Sequence, residues 1–210
     1  MQVFLETERL VLRRFTMGDV DNLADLDADP DVMHFVNGGI PTSRDEIENE
    51  FLPAFLGYYQ RYQEYGFWAA IQRSTGDFLG WFHFRPRDGA APGQAELGYR
   101  LRKSAWGKGY ATEGSRALIR MGFTEFGVQL VTAEALAANV ASRRVMEKAG
   151  LTLLRTFHQP WPDAVGGHEL EVVEYALRKA DWEQQDHGGT GAAPERKPPP
   201  NRPGSPPGRS

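Results

Sequence analysis

The chain has 210 residues, 40% of them hydrophobic and 11% aromatic, which suits one soluble globular domain with an appendage. Lys and Arg number 24 against 28 Asp and Glu, a formal charge of −4 that argues against a basic nucleic-acid binder. Cysteine is absent, which excludes disulfide scaffolds, cysteine nucleophiles and thiolate metal sites, and no apolar run nears the ~20 residues of a membrane span.

The first nine residues carry acids where a signal peptide needs an apolar stretch, so a cytoplasmic protein is expected. Arg9 to Phe15 is β-like. Asp19 is placed to cap a helix through Leu23 and Leu26, and Asp29-Pro30 opens a second short one. Thr42-Ser43 starts a long helix towards Tyr65, with Glu46 completing a capping box and Pro53 kinking or splitting it. Phe67–Ile71 and Phe78–Phe84 read as a hairpin about a Gly76-Asp77 turn, and His83 is placed to face a cleft opposite Glu96. Beyond a Gly- and Pro-rich stretch, Ala95–Leu101 alternates cleanly. Ala95, Leu97, Tyr99 and Leu101 share one face; Glu96, Gly98 and Arg100 share the other.

Gly109 to Phe126 is helical, with Ala111, Ser115, Leu118 and Gly122 on one stripe. Gln129–Ala133 is a strand, and Asn139–Ala149 a short helix ended by Gly150. Leu151–Phe157 and Glu169–Leu177 close the domain. The order β-α-α-β-β-β-α-β-α-β-β predicts a mixed α/β fold with helices on the faces of the sheet. From His187 to Ser210, 12 of 24 residues are Gly or Pro and none is an aliphatic larger than Ala. That composition cannot offset its ordering entropy, so residues 1–182 are read as the domain and 183–210 as a disordered tail.

The segment Trp106-Gly-Lys-Gly-Tyr-Ala-Thr-Glu113 joins a strand to a helix. Two glycines let the main chain approach a ligand, and the start of the helix offers unpaired N–H groups, which together make an anion site. An ordinary strand–helix loop has the same composition. Lys108 is followed by Gly109, not Ser or Thr, so the segment is no P-loop; it ends in Thr112, so it lacks the third glycine of a Rossmann fingerprint.

This segment resembles motif A of the GNAT superfamily of N-acetyltransferases, R/Q-x-x-G-x-G/A, with Trp106, Gly109 and Ala111 at its first, fourth and sixth positions. The tryptophan departs from the general pattern and is similar to the W-G-x-G-Y-A-T-E form of the RimJ/RimL-like branch. Thr7–Arg13, Asp29–Phe35, Ala95–Leu101 and Asn139–Gly150 resemble further segments of that branch, in consistent order over residues 5–180.

The resemblance implies a GNAT fold, with a central, mostly antiparallel twisted sheet of about six to seven strands. It implies acetyl-CoA as cosubstrate, no metal, and transfer to a primary amine by direct attack. The acceptor is a protein N-terminal α-amine or a small molecule, entering between residues 30–65 and the 158–168 loop. Neither nucleic acid nor membrane is an expected partner, and a homodimer is compatible with the branch.

Glu96 is the candidate base; a strand glutamate paired with Arg100 is the plain alternative. Main-chain N–H groups near Tyr99 to Leu101 would polarise the thioester, on a strand that many family members splay with a bulge. Tyr99, Leu101, Arg102, Trp106, Gly107, Lys108, Gly109, Tyr110, Ala111 and Thr112 are expected along the cofactor. Asn139 would meet its pantetheine arm and Ser142 its sulfur, although a helix cap explains both residues equally well. Where many members carry a general-acid tyrosine, seven residues after the Asn, this chain has Met146, which leaves Ser142 or water to protonate the thiolate. The rival reading is a non-catalytic acetyl-CoA-binding sensor or docking module.

Overall fold

The computed structural model describes residues 2–87, 89, 91–160 and 169–188, with no side-chain description for 186–188. The strands are β1 (Val3–Glu6), β2 (Leu10–Arg14), β3 (Gly66–Gln72), β4 (Phe78–Arg85), β5 (Gln94–Leu101), β6 (Leu130–Leu136), β7 (Thr152–Pro160) and β8 (Glu169–Arg178). They form one eight-stranded sheet in the order β1-β2-β3-β4-β5-β6-β8-β7, antiparallel throughout except between β5 and β6. The strand beyond the expected six or seven is β1. A turn separates it from β2: Thr7 N–H donates to the Leu10 carbonyl at 2.9 Å, and Leu10 N–H returns to Thr7 Oγ1 at 3.0 Å.

The helices are α1 (Val20–Asp27), α2 (Pro30–Asn37), α3 (Arg44–Glu46), α4 (Leu52–Arg61), α5 (Tyr110–Thr124), α6 (Val140–Lys148) and α7 (Lys179–Gly188). Asp29 caps α2 by accepting from Asp31 N–H, and Ser43 caps α3 by accepting from Glu46 N–H. Asp19 does not cap α1 with its side chain. Its carboxylate takes Thr16 N–H and both terminal nitrogens of Arg13, which lies close in sequence and carries a full charge. The long helix expected towards Tyr65 ends at Arg61. Between α3 and α4, residues Ile47–Phe51 form a π-turn, closed by Leu52 N–H on the Ile47 carbonyl. The wider turn ends just before Pro53, which has no N–H to give to an α-helical ladder.

One sheet face packs Ala69, Phe78 and Trp81 against Leu23, Leu26, Ile47 and Phe55 from α1, the π-turn and α4. The other packs Phe82, Phe84, Leu97 and Val131 against Leu118, Ile119 and Phe123 of α5. The alternation read along 95–101 places Leu97 and Leu101 in this second core, with Tyr99 packed on its border. Gly114 and Gly122 let α5 settle on the rings below. A Cβ at these positions would meet Phe82 Cζ at 2.4 Å and Phe84 Cζ at 2.5 Å. α7 runs to Gly188, past the expected boundary at 182; the rest of the expected tail, 189–210, lies outside the described residues.

Candidate active site

β5 and β6 are paired only from Gln94–Glu96 to Leu130–Thr132, and both strands then continue, to Leu101 and Leu136. The sheet therefore opens into a fork. Arg102 N–H donates to the Leu79 carbonyl, on the β4 side. By the alternation of a strand, the N–H groups of Leu101 and Tyr99 turn towards the opening. The register of β5 on β4 is unbroken from Gly80↔Leu101 to Arg85↔Glu96, so the irregularity belongs to the neighbouring strand. There, Ala70 pairs with Gly80 but Ile71 with Phe78, which leaves Leu79 as the extra residue. Gly80 sits so close that a Cβ would stand 2.1 Å from the Arg100 carbonyl oxygen.

A short turn leads from the end of β5 to the helix start. Gly107 and Gly109 both adopt left-handed backbone, with φ of 70° and 85°. Gly109 is the N-cap of α5 and brings no capping side chain, so the first-turn N–H groups keep their partial positive charge for a ligand. Trp106, at the position where the general motif has Arg or Gln, donates its indole N–H to the Leu101 carbonyl at 2.8 Å. From outside, Arg9 Nη1 holds the Lys108 carbonyl at 2.9 Å and Arg9 Nε holds Glu113 Oε2 at 2.7 Å. Thr7 Oγ1 donates to Glu113 as well, at 2.6 Å. Burial pushes the Glu113 carboxyl up, but the hydrogen bonds from Thr7 and Arg9 outweigh it and hold it below its ordinary value.

The fork and the helix start open into one cleft of about 580 Å³. From β5 it takes Tyr99 and Leu101; from the loop, Trp106, Gly107 and Gly109; from α5, Tyr110, Ala111 and Thr112; from α6, Asn139 and Ser142. Asn139 Oδ1 caps α6 by accepting Ser142 N–H at 3.0 Å. The Tyr99 hydroxyl lies 3.0 Å from Ser142 Oγ. Burial pushes the Tyr99 phenol up to about 12, against a smaller opposing effect of the Ser142 hydrogen bond. Met146 is buried in the core, 1% exposed.

Three expected residues stand apart from the cleft lining. Arg102 stacks over Phe78 at 5.4 Å and pairs with Asp25, Lys108 contributes its carbonyl to Arg9, and Glu96 pairs with Arg85 at 2.9 Å. Glu96 lies where β5 is still joined to β6, opposite Thr132. Its expected partner Arg100 instead binds Asp27. Nor does His83 face Glu96: the register sets it opposite Gly98, with its ring where a Gly98 side chain would be. Burial, with Arg85 and Arg100 nearby, pushes the His83 imidazole down to about 3.

The cleft also takes in charged residues that the sequence does not mark as part of a site. Arg100 reaches it from β5, and Glu134, on β6 beyond the fork, reaches it with Arg87 Nη1 2.7 Å away. The signal for Glu134 was its place two residues beyond Thr132 on one strand face, but the strand had been expected to stop at Ala133. α2 supplies an apolar wall at Val32, Phe35 and Val36. The expected 158–168 entrance falls mostly on residues outside the description, 161–168.

The profile of the acetyltransferase (GNAT) domain matches residues 9–152. The chain belongs to the GNAT acetyltransferase family. A curated relative, the FsC-acetyl coenzyme A-N(2)-transacetylase of Aspergillus fumigatus, is 31% identical over 194 residues, covering 86% of this chain and 78% of that one. An acetyltransferase (GNAT family) structure from Bacillus anthracis superposes with a TM-score of 0.72 at 23% identity, covering 86% and 99% of the two chains. RimL, the ribosomal L7/L12 alpha-N-protein acetyltransferase solved with coenzyme A, does so with 0.70 at 18%, covering 84% and 98%. These two structural likenesses concern the fold. Among the described residues of this GNAT chain, no group of three or more His, Cys, Asp or Glu could hold a metal ion, and no helix is long and apolar enough to cross a membrane.

Proposed function

We propose that this GNAT chain moves the acetyl group of acetyl-CoA to a primary amine by direct attack. The observation that carries the proposal is the shared cleft: an uncapped helix start lies at one end, suited to a diphosphate, and a forked strand pair at the other, suited to a thioester. The α5 N–H groups would grip the diphosphate, and Asn139 would meet the pantetheine arm. Tyr99 and Leu101 N–H groups would polarise the carbonyl. Ser142 would lie at the sulfur.

The attacking amine gives up a proton to a carboxylate on the α1–α4 side. Glu96 is the carboxylate that the family resemblance points to, acting through water because it is set back from the cleft. Glu134 is a second reading, favoured because it lines the cleft itself. E96Q and E134Q separate the two: the true base loses turnover while acetyl-CoA affinity holds.

The relatives' names put the acetyl on nitrogen, N(2) in one and a protein α-nitrogen in the other, which supports an amine acceptor of either class. The net charge of −4 steers cations by long-range attraction. Calorimetry with acetyl-CoA, followed by a CoA-release screen over N-terminal peptides, polyamines and aminoglycosides, tests the function. Binding without release for any amine would favour a sensor; no binding heat would end the proposal.

A further inference from the structure

The expected acid position is occupied by a thioether sealed in the core: Met146 is 1% exposed and has no proton to give. Two hydroxyl groups lie instead on the cleft wall. Tyr99 comes from β5 and Ser142 from the first turn of α6, and both line the cleft. Their oxygens are 3.0 Å apart, although the residues are 43 positions apart in sequence. The Tyr99 hydroxyl also donates to the Ser142 carbonyl at 3.1 Å, so its one proton faces both oxygens of Ser142.

We propose that Tyr99 is a positioning residue: its hydroxyl donates to Ser142 Oγ and so turns the serine proton outward, towards the sulfur of acetyl-CoA. A hydroxyl oxygen that accepts from one side has its own O–H left for the other. As the amine nitrogen bonds to the carbonyl carbon, the C–S bond breaks and its electron pair goes to sulfur. The serine O–H holds that thiolate by a charge-assisted hydrogen bond. The proton lost by the amine ends on sulfur, giving the amide and the CoA thiol. Tyr99 itself keeps its proton throughout, as its raised phenol requires, so it acts as a fixed donor and not as the acid. The proposal rests on the reading above that Ser142 lies at the sulfur.

The test uses CoA alone, so it needs no acceptor. The thiolate absorbance of protein-bound CoA is titrated against pH in the wild type, Y99F, S142A and the double variant, with CoA affinity measured by calorimetry. In Y99F the thiolate fraction at a given pH should fall by roughly three- to tenfold. Affinity for the whole molecule should stay within about twofold, since one hydrogen bond near sulfur contributes little of it. S142A should fall as far or further, and the double variant no further than S142A, because the tyrosine acts only through the serine. With an amine accepted in the screen, Y99F should lower kcat and leave the KM for acetyl-CoA in place. A Y99F titration like that of the wild type, or an equal Y99F effect in the S142A background, would overturn the role of Tyr99 alone. An S142A titration like that of the wild type would overturn the placement of Ser142, and the role of Tyr99 with it.

Discussion

Arg100 places one terminal nitrogen 2.7 Å from both carboxylate oxygens of Asp27, joining the prong of the fork to the end of α1. Thr42 donates to the same carboxylate at 3.2 Å, and the guanidinium lies over the Trp81 ring at 5.1 Å. The pair is enclosed, with side-chain exposures of 19% and 8%. Removing one partner leaves a buried charge without its counterion, so D27A should lose about 3 kcal/mol of stability in urea melts. A loss below about 1 kcal/mol would mean that solvent already screens the pair.

His83 makes stability depend on pH in a definite direction. Its folded pKa of about 3 lies below the ordinary 6.5, so from pH 6.5 down to 3 the unfolded chain binds a proton that the folded chain refuses. Stability is therefore fully present above pH 6.5 and drains away as the pH falls through that window. At pH 5 the loss from this one group is about 2 kcal/mol. H83F, which suits the neighbouring Phe67 and Trp81 rings, should flatten the difference between denaturation curves at pH 7.5 and pH 5. Equal slopes in the two proteins would remove His83 as the cause.

Glycines in helices divide into two kinds here. Gly57 in α4 has open space around it, so G57A should gain up to about 1 kcal/mol from helix propensity. Gly114 presses on the fully buried Phe82 ring, so G114A should lose about 1–3 kcal/mol despite the same propensity gain. Thermal melts that rank both variants on the same side of wild type would contradict this packing.

On the function proposed above, the loop from Trp106 to Thr112 would hold acetyl-CoA through its backbone geometry and its outer brace. G109A forces a side chain into left-handed backbone, 3.3 Å from Arg9 Nη2, and should weaken acetyl-CoA binding about tenfold. E113A removes the group that Thr7 and Arg9 share and should weaken it several-fold, with no change to any cleft-lining side chain. Calorimetry showing wild-type affinity for both would separate the loop from the cofactor.

What the sequence made legible was local. The alternation of 95–101, the two left-handed glycines and the Asn139 cap depend on residues within one element or one turn, where the spacing of side chains is enough. What it hid was lateral. The sequence offers Glu96 a partner in Arg100, four residues along its own strand, but its observed partner Arg85 sits across the ladder, and register between strands leaves no mark in either strand alone. Glu134 was hidden for the same reason: only the parting of β5 from β6 brings it to the cleft. The strand β1, ahead of the expected one, is set off from it by a turn in which Leu10 N–H donates to Thr7 Oγ1, a bond that residue periodicity does not encode.

Trp106 hangs from the carbonyl of Leu101, the last residue of one prong. On the function proposed above, the grip on the phosphates and the seat of the acyl group are thus both tied to Leu101. Their spacing is a local constant, set across five residues of chain rather than by the whole domain. On that proposal the span would act as a gauge: a donor whose arm is too short or too long could not touch both ends together.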